Sequence, residues 1–276
     1  MIAQSTAILD RFFSTFHSAS RPLLLLDYDG TLAPFRVNRF QAVPSPGVRE
    51  LLNRIQSQTR TRIVVVTGRP AEEIGPLLAL DQPIEVWGLH GFERLHADGR
   101  RERDSVPAAT QQKLDELHQA LRRDSFGGLF EPKPNGAAMH WRGIPDQQAA
   151  TIEKRTRALL EPLAIAGGFR LLPFEYGIEL RTGRDKGGAV KALLAESARD
   201  IPVAYLGDDL TDEAAFCALN GRGLSVLVRT EPRESAADLY LKPPEELLEF
   251  LTCWLNSATR NPEGESKGLS TRGPSS

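Results

Sequence analysis

Residues 23–32 read LLLLDYDGTL: four leucines run straight into Asp27 and Asp29. The apolar run, PLLLL over 22–26, is too short for a helix and shows no polar alternation. That is the pattern of a strand buried on both faces of a parallel sheet. Ligands of open α/β sheets bind beyond the carboxyl ends of strands, which is where Asp27 and Asp29 come. Two carboxylates this close repel unless a cation or a proton separates them. A hard dication such as Mg²⁺ suits such a pair of oxygens. Taken alone, DYDGT reads equally well as a solvated turn with Asp-Gly chemistry.

Similar runs recur at 62–66 (RIVVV), 84–88 (IEVWG), 203–206 (VAYL) and 224–228 (LSVLV). Helical patterns lie between them, at 46–58, 186–197 and 212–220, and the class read from both flanks is doubly wound α/β. The middle departs from this. More than ninety residues separate the strand at 84–88 from GRDKGG at 183–188, whereas a whole crossover unit needs about 30. The excess reads as an inserted α+β domain: a polar helix (108–123), a hairpin (129–142), a helix (146–162) and strands at 169–173 and 177–181. The expected division is core 1–93, insertion 94–182, core 183–256 and a disordered tail 257–276, rich in Ser, Gly, Pro and charge. Residues 1–20 read as a short amphipathic helix.

The bulk numbers exclude several classes. The 276 residues are 41% hydrophobic and 25% charged, with a net charge of −2, so no strong field favours nucleic acid or an anionic membrane. No apolar run approaches the roughly 18 residues of a membrane span, and no signal-peptide pattern opens the chain. Two cysteines, Cys217 and Cys253, make neither a disulfide framework nor a metal cluster. A cytoplasmic monomer acting on a small molecule is expected.

Three further stretches resemble the first. VVVTGRP (64–70) ends a strand in Thr67, Gly68 and Arg69: a hydroxyl donor, a residue that lets backbone approach an oxyanion, and a cation. A proline at position 70 marks the next helix start. GRDKGGAV (183–190) opens a helix with Lys186, against the helix dipole, so another benefit is implied. YLGDDLTDEAAF (205–216) ends a strand in Asp208 and Asp209, with Asp212 and Glu213 entering a helix. Capping explains one of these acids, Asp209 or Asp212, but not all. The first two alone read as an ordinary turn or helix start, whereas four acids within 208–213 at a strand end point to a metal site.

Together, in the order D-x-D, T, K, GDD, they resemble the haloacid dehalogenase superfamily of phosphohydrolases over roughly 20–92 and 183–256. The resemblance implies a mostly parallel, Rossmann-like core of that superfamily with an inserted cap. It implies Asp27 as nucleophile, Asp29 as acid then base, and Thr67, Gly68 and Lys186 around the phosphoryl group. It also implies Mg²⁺ held by Asp27, Asp208 and the Asp29 carbonyl, with Arg69, Asp209 and Asp212 as supports.

Nothing in these motifs reads a leaving group, so specificity falls to the insertion. In LFEPKPNGAAMHWR (129–142), Asn135-Gly136 is a two-residue turn signal. It predicts Glu131 opposite His140 and Lys133 opposite Ala138. One face then carries Glu131, Lys133, His140 and Arg142, and the other, Phe130, Pro132, Met139 and Trp141, is core. GIELRTG (177–183) adds Glu179 and Arg181. A polar face of this kind suits sugar hydroxyls, and is equally the usual look of an exposed sheet face. LDYDGTLAP, VTGR, GLHGFE, the MHWR hairpin and GIELR…KGGAV together resemble the trehalose-6-phosphate phosphatase family. That resemblance implies sugar contacts by Glu131, Lys133, His140, Arg142 and Glu179, with His90 near the domain junction as a substrate contact or a buried structural residue. Other readings are phosphatases of sucrose 6-phosphate, glucosylglycerol phosphate or mannosyl-phosphoglycerate, a phosphomutase, and a noncatalytic sugar-phosphate sensor.

Overall fold

Leu23–Leu26 form a central strand of an eight-stranded sheet, with all four side chains fully buried. The computed structural model describes residues 2–18, 21–36, 38–124 and 126–259. In chain order its first elements are α1 (Ile2–Ser14), β1 (Leu23–Leu26), α2 (Val48–Gln58), β2 (Arg62–Val66), α3 (Ala71–Leu78), β3 (Glu85–Gly88), β4 (Glu93–Leu95) and β5 (Arg101–Arg103). Then come α4 (Ala108–Arg123), β6 (Phe130–Lys133), β7 (Gly136–His140), α5 (Asp146–Ile165), β8 (Arg170–Phe174) and β9 (Gly177–Arg181). The chain continues through α6 (Lys186–Ala195), β10 (Val203–Gly207), α7 (Glu213–Leu219), β11 (Leu224–Val228), β12 (Leu239–Leu241) and α8 (Glu245–Thr259).

The large sheet has the order β12-β11-β10-β1-β2-β3-β4-β5. It is parallel from β12 to β3, and β4 and β5 add an antiparallel edge. Alternation along β1 explains the leucine run. Leu24 and Leu26 enter a cluster with Leu52 and Ile55 of α2 and Phe250 and Trp254 of α8. Leu23 and Leu25 enter the opposite one, with Val190 and Leu193 of α6 and Phe216 of α7. Each leucine contributes about 2 kcal/mol of burial, and helices cover both faces. The expected α/β doubly wound class with an inserted α+β unit is the one observed.

Between β5 and α6 lies a second sheet, antiparallel, in the order β6-β7-β9-β8. Its Ala137, Met139, Ile178 and Leu180 pack with Leu114, Leu117 and Leu121 of α4 and Ile152 and Leu160 of α5. By the two-residue strand period, Glu179 and Arg181 lie on its other face, toward the core.

Several boundaries differ from expectation. The insertion does not begin at 94, because β4 and β5 complete the large sheet; three-residue charged strands gave no readable alternation. Helix α8 runs to Thr259, so 257–259 are helical rather than tail, and residues 260–276 lie outside the described residues. The hairpin register moves by two: Glu131 is opposite Ala138 and Lys133 opposite Gly136. The turn is Pro134-Asn135, since Pro134 pre-sets the backbone for a first turn position. The Asn135 carbonyl accepts from the Thr182 amide at 2.8 Å, and its side-chain amide donates to the Thr182 carbonyl at 3.0 Å. An even shift leaves each residue on its face, so the expected polar row survives.

Candidate active site

The sheet order sets three motif residues side by side. Leu26 of β1 pairs with Leu206 of β10 and Val65 of β2. Asp208, Asp27 and Thr67 therefore leave the carboxyl ends of three adjacent strands. Lys186, the first residue of α6, reaches in from the next layer. Its Nζ donates to Asp27 Oδ1 and to Asp212 Oδ1, each at 2.7 Å. Asp27, Lys186, Asp208 and Asp212 are all buried.

Asp212 is fully used by the protein. Its Oδ1 also accepts from the Tyr205 hydroxyl at 2.5 Å, and its Oδ2 accepts from the Asp208 and Asp209 amides at 3.1 and 3.0 Å. Asp209 caps the short helical turn beyond it. Asp212 thus fixes the loop that presents Asp208 and holds Lys186 in place. Asp208 differs: its buried Oδ1 has no hydrogen-bond partner among the described residues.

Oxygens of Asp27, Asp208 and Asp212 lie within 4.8 Å of one another, and Lys186 supplies one compensating charge. Burial, against the pull of Lys186 and with the push of Asp212, lifts Asp27 to about 7. Burial and Asp27 hold Asp208 well above the usual carboxylate range. Burial opposes charge on Lys186, but Asp212 and Asp27 outweigh it and raise its pKa. Excess negative charge beside an unpartnered carboxylate oxygen fits a hard dication with oxygen ligands. Gly30, at φ +84°, is held to glycine by the same cluster, since a Cβ there would fall 2.0 Å from Asp208 Oδ2.

The Asp29 carboxylate does not join this group. Arg69 takes it in a two-bond fork, Nε to Oδ2 at 2.6 Å and Nη2 to Oδ1 at 2.7 Å. Thr67 is buried, and its hydroxyl accepts from the Arg69 amide at 3.2 Å. Gly68 is forced by packing: a Cβ would meet His90 Nε2 at 2.6 Å.

The polar face of the inserted sheet closes over this loop. Lys133 Nζ lies 3.3 Å from the Gly68 carbonyl and 2.9 Å from Glu179 Oε1. His90 Nε2 lies 3.1 Å from Glu179 Oε2. Opposing the cost of burial, Lys133 and His90 hold Glu179 well below the carboxylate range. His140 Nε2 is 3.0 Å from Glu131 Oε2. Arg142 stands apart, its guanidinium 4.0 Å from the Phe35 ring centre and 4.7 Å from that of Tyr176. The structure thus brings Glu131, Lys133, His140 and Glu179 into one row and sets Arg142 at its rim.

Four residues of this neighbourhood have no role assigned from the sequence. Arg39 and Glu73 sit in a short helical turn (Arg39–Gln41) and a helix start without a distinguishing pattern. Tyr205 left a clue, because a buried tyrosine in a strand needs a partner for its hydroxyl. Arg181 has the right face but no role assigned by its motif; it is buried, with Nη1 3.6 Å from Glu179 Oε2.

His90 gives a pH test. Burial and Arg181 push it down from 6.5 to about 3. The unfolded chain takes up this proton near pH 6.5 and the folded one only near 3. The contribution is therefore whole above 6.5 and shrinks as pH falls through that window. Urea unfolding between pH 6.5 and 4.5 is expected to show a slope of up to about 1.4 kcal/mol per pH unit from this one group. His90→Asn, which tolerates the positive φ of 59°, should remove that part. An unchanged slope would reject it.

Relatives agree with the geometry. The trehalose-phosphatase family profile matches residues 25–245. A bifunctional trehalose-6-phosphate synthase/phosphatase of Thermoproteus tenax is 34% identical over 213 residues, 75% of this chain and 28% of that protein. A probable trehalose-phosphate phosphatase of Oryza sativa is 29% identical over 255 residues, covering 83% of this chain and 68% of that one. The chain spans only 19% of the length of two similar Mycobacterium tuberculosis proteins. Among solved structures, the C-terminal domain of a C. albicans trehalose-6-phosphate phosphatase superposes with TM-score 0.77 at 22% identity, covering 90% of this chain and 96% of that one. Sharing the profile from the leucine strand to the start of α8, the chain belongs to the trehalose-phosphatase family.

Proposed function

We propose that this chain hydrolyses trehalose 6-phosphate to trehalose and phosphate in two steps through Asp27. The observation that carries this is the Asp27–Lys186–Asp212 triad beside the unpartnered oxygen of Asp208, roofed by a polar sheet face. Asp27 is fixed by the Leu206 carbonyl, which accepts its amide at 2.8 Å. It attacks phosphorus with one oxygen while Lys186 draws charge from the phosphoryl oxygens. The Thr67 hydroxyl and the backbone around Gly68 complete the phosphoryl cradle. Asp29, once free of Arg69, gives a proton to the leaving sugar oxygen and later takes one from the attacking water.

Asp27, Asp208 and the Asp29 carbonyl are the groups proposed to hold Mg²⁺. Bound there, the ion would supply Lewis-acid neutralisation of the negative charge that gathers at the site. The roles of Arg69, Asp209 and Asp212 are to hold Asp29, the acid loop and Lys186. Glu131, Lys133, His140, Arg142 and Glu179 read the sugar hydroxyls. All these groups come from one chain, so a monomer suffices. Cys217 and Cys253 are exposed and free, which suits the cytoplasm; no helix among the described residues is long and apolar enough to cross a membrane.

A panel of sugar phosphates tests this, with release of phosphate measured in Mg²⁺ and in EDTA. Trehalose 6-phosphate should give the highest kcat/KM, ahead of sucrose 6-phosphate, glucosylglycerol phosphate and mannosyl-phosphoglycerate. Any of these doing better would reassign the substrate. Transfer to a second sugar without phosphate release would mark a phosphomutase. Lys133→Ala should lower kcat/KM for the sugar ester about a hundredfold, the cost of a buried charged contact, and that for 4-nitrophenyl phosphate far less. Equal losses would remove the hairpin from sugar recognition.

A further inference from the structure

Two exposed aromatic rings meet at the mouth of the site. Phe35 follows the Asp27–Asp29 loop, and 38% of its surface is open. Its ring edge borders the acid cluster: a Cβ on Gly30 would come 2.8 Å from the ring and 2.0 Å from Asp208 Oδ2. Tyr176 lies at the tip of the β8–β9 hairpin and is 49% exposed. It holds φ at +63°, a region that suits glycine or asparagine and is uncommon for a bulky side chain. An aromatic ring kept exposed at such a position points to a use outside the core. The two residues are 141 positions apart, yet both rings take the same guanidinium. The Cζ of Arg142 lies 4.0 Å from the centre of the Phe35 ring and 4.7 Å from that of Tyr176. The Trp141 amide donates to the Tyr176 carbonyl at 2.8 Å, which ties the hairpin tip to the residue beside Arg142.

We propose that Phe35 and Tyr176 are positioning residues for sugar recognition, holding the Arg142 guanidinium at the mouth with its N–H edge toward the sugar that the phosphate carries. This rests on the proposed action on trehalose 6-phosphate and deepens it. A guanidinium laid on aromatic faces keeps its donors at its rim, where the planar fork meets two oxygens at once. Arg142 has donors to spare. It makes one hydrogen bond among the described residues, a long one of 3.4 Å from Nη2 to the Glu175 carbonyl, and the Glu175 carboxylate is 3.8 Å away. A free arginine at a rim loses much side-chain freedom when it binds, and the stack removes part of that loss beforehand. Phe35 comes from the loop that follows Asp29, whereas Arg142 and Tyr176 come from the inserted unit. The stack thus sets a sugar-reading donor at a fixed place relative to the nucleophile loop.

Trehalose 6-phosphate and acetyl phosphate, which has neither sugar nor ring, separate sugar reading from phosphoryl transfer. The quantity compared is kcat/KM, from which the later water step, common to both, drops out. For the whole chain with Mg²⁺, Phe35→Ala should lower kcat/KM on trehalose 6-phosphate about fivefold, the scale of one cation–π contact, and on acetyl phosphate less than about twofold. Phe35→Leu, with apolar bulk but no π face, should lose as much, and Phe35→Trp should recover it. Tyr176→Asn, which suits the positive φ, should match Phe35→Ala. Arg142→Ala should cost about fiftyfold on the sugar ester, the scale of a charged hydrogen bond. Adding Phe35→Ala to it should cost less than about twofold more, because the ring acts through the guanidinium. Losses that multiply in the double variant, wild-type values in Phe35→Ala or Phe35→Leu, or equal losses on both substrates would overturn the proposal. An Arg142→Ala enzyme that keeps its full kcat/KM on trehalose 6-phosphate would instead reject Arg142 as a sugar contact, the reading on which the stack rests.

Discussion

Asp27→Asn is expected to abolish phosphate release while making the metal-free protein more stable. Kinetically, an amide there removes the proposed nucleophile, and a loss of at least about 10⁴-fold is expected, as for other nucleophile knockouts. The stability gain comes from the charges. Asp27, Asp208 and Asp212 lie within 4.8 Å of one another with Lys186 between two of them. Removing one negative charge relieves repulsion that burial intensifies. The amide oxygen of the substituted side chain would still accept a hydrogen bond from Lys186. A gain of about 1–2 kcal/mol is expected, the usual scale when strain at an active site is relaxed. Thermal melting in EDTA reads it. A fall in the melting temperature would mean that the cluster is not under electrostatic strain.

Lys186→Met should do the reverse to stability. It strands Asp27 and Asp212 without their cation, beside Asp208. Breaking a buried charge pair from one side typically costs about 3–5 kcal/mol. Chemical unfolding of the metal-free protein measures this, and Asp27→Asn in the same chain should return part of it. Neighbours in one network do not add, so simple additivity of the two substitutions would contradict the coupling between Asp27 and Lys186. Activity should be lost as well, since no other cation hydrogen-bonds Asp27 among the described residues.

Much of the core site is legible in the sequence because a buried parallel strand leaves a strong mark. Leu23–Leu26 are apolar on both faces, and the residues after such a run are fixed at a known end of the sheet. Asp27, Thr67 and Asp208 are thus readable as strand-end residues of one sheet even though the first and last lie 181 positions apart. The hairpin is half legible. Its faces come from the strand period, but its register turns on whether Pro134 or Asn135 begins the turn. The ion pairs of Arg39 with Glu73 and Glu131 are not legible, because a charged residue in a short turn or a helix start looks the same whether it is solvated or paired. Arg69 illustrates the limit: its motif places it at the site, but only the folded chain sets its fork on Asp29 rather than leaving it open to phosphate.

The most direct test uses Asp29→Asn with ³²P-labelled 4-nitrophenyl phosphate and Mg²⁺. The phenolate needs no proton, so the first step proceeds, and without Asp29 the water step stalls. The expected result is a burst of about one nitrophenolate per protein, with the label on the peptide carrying Asp27 and removed by hydroxylamine, as for an acyl phosphate. Label on any other residue, or no burst at all, would contradict phosphoryl transfer through Asp27.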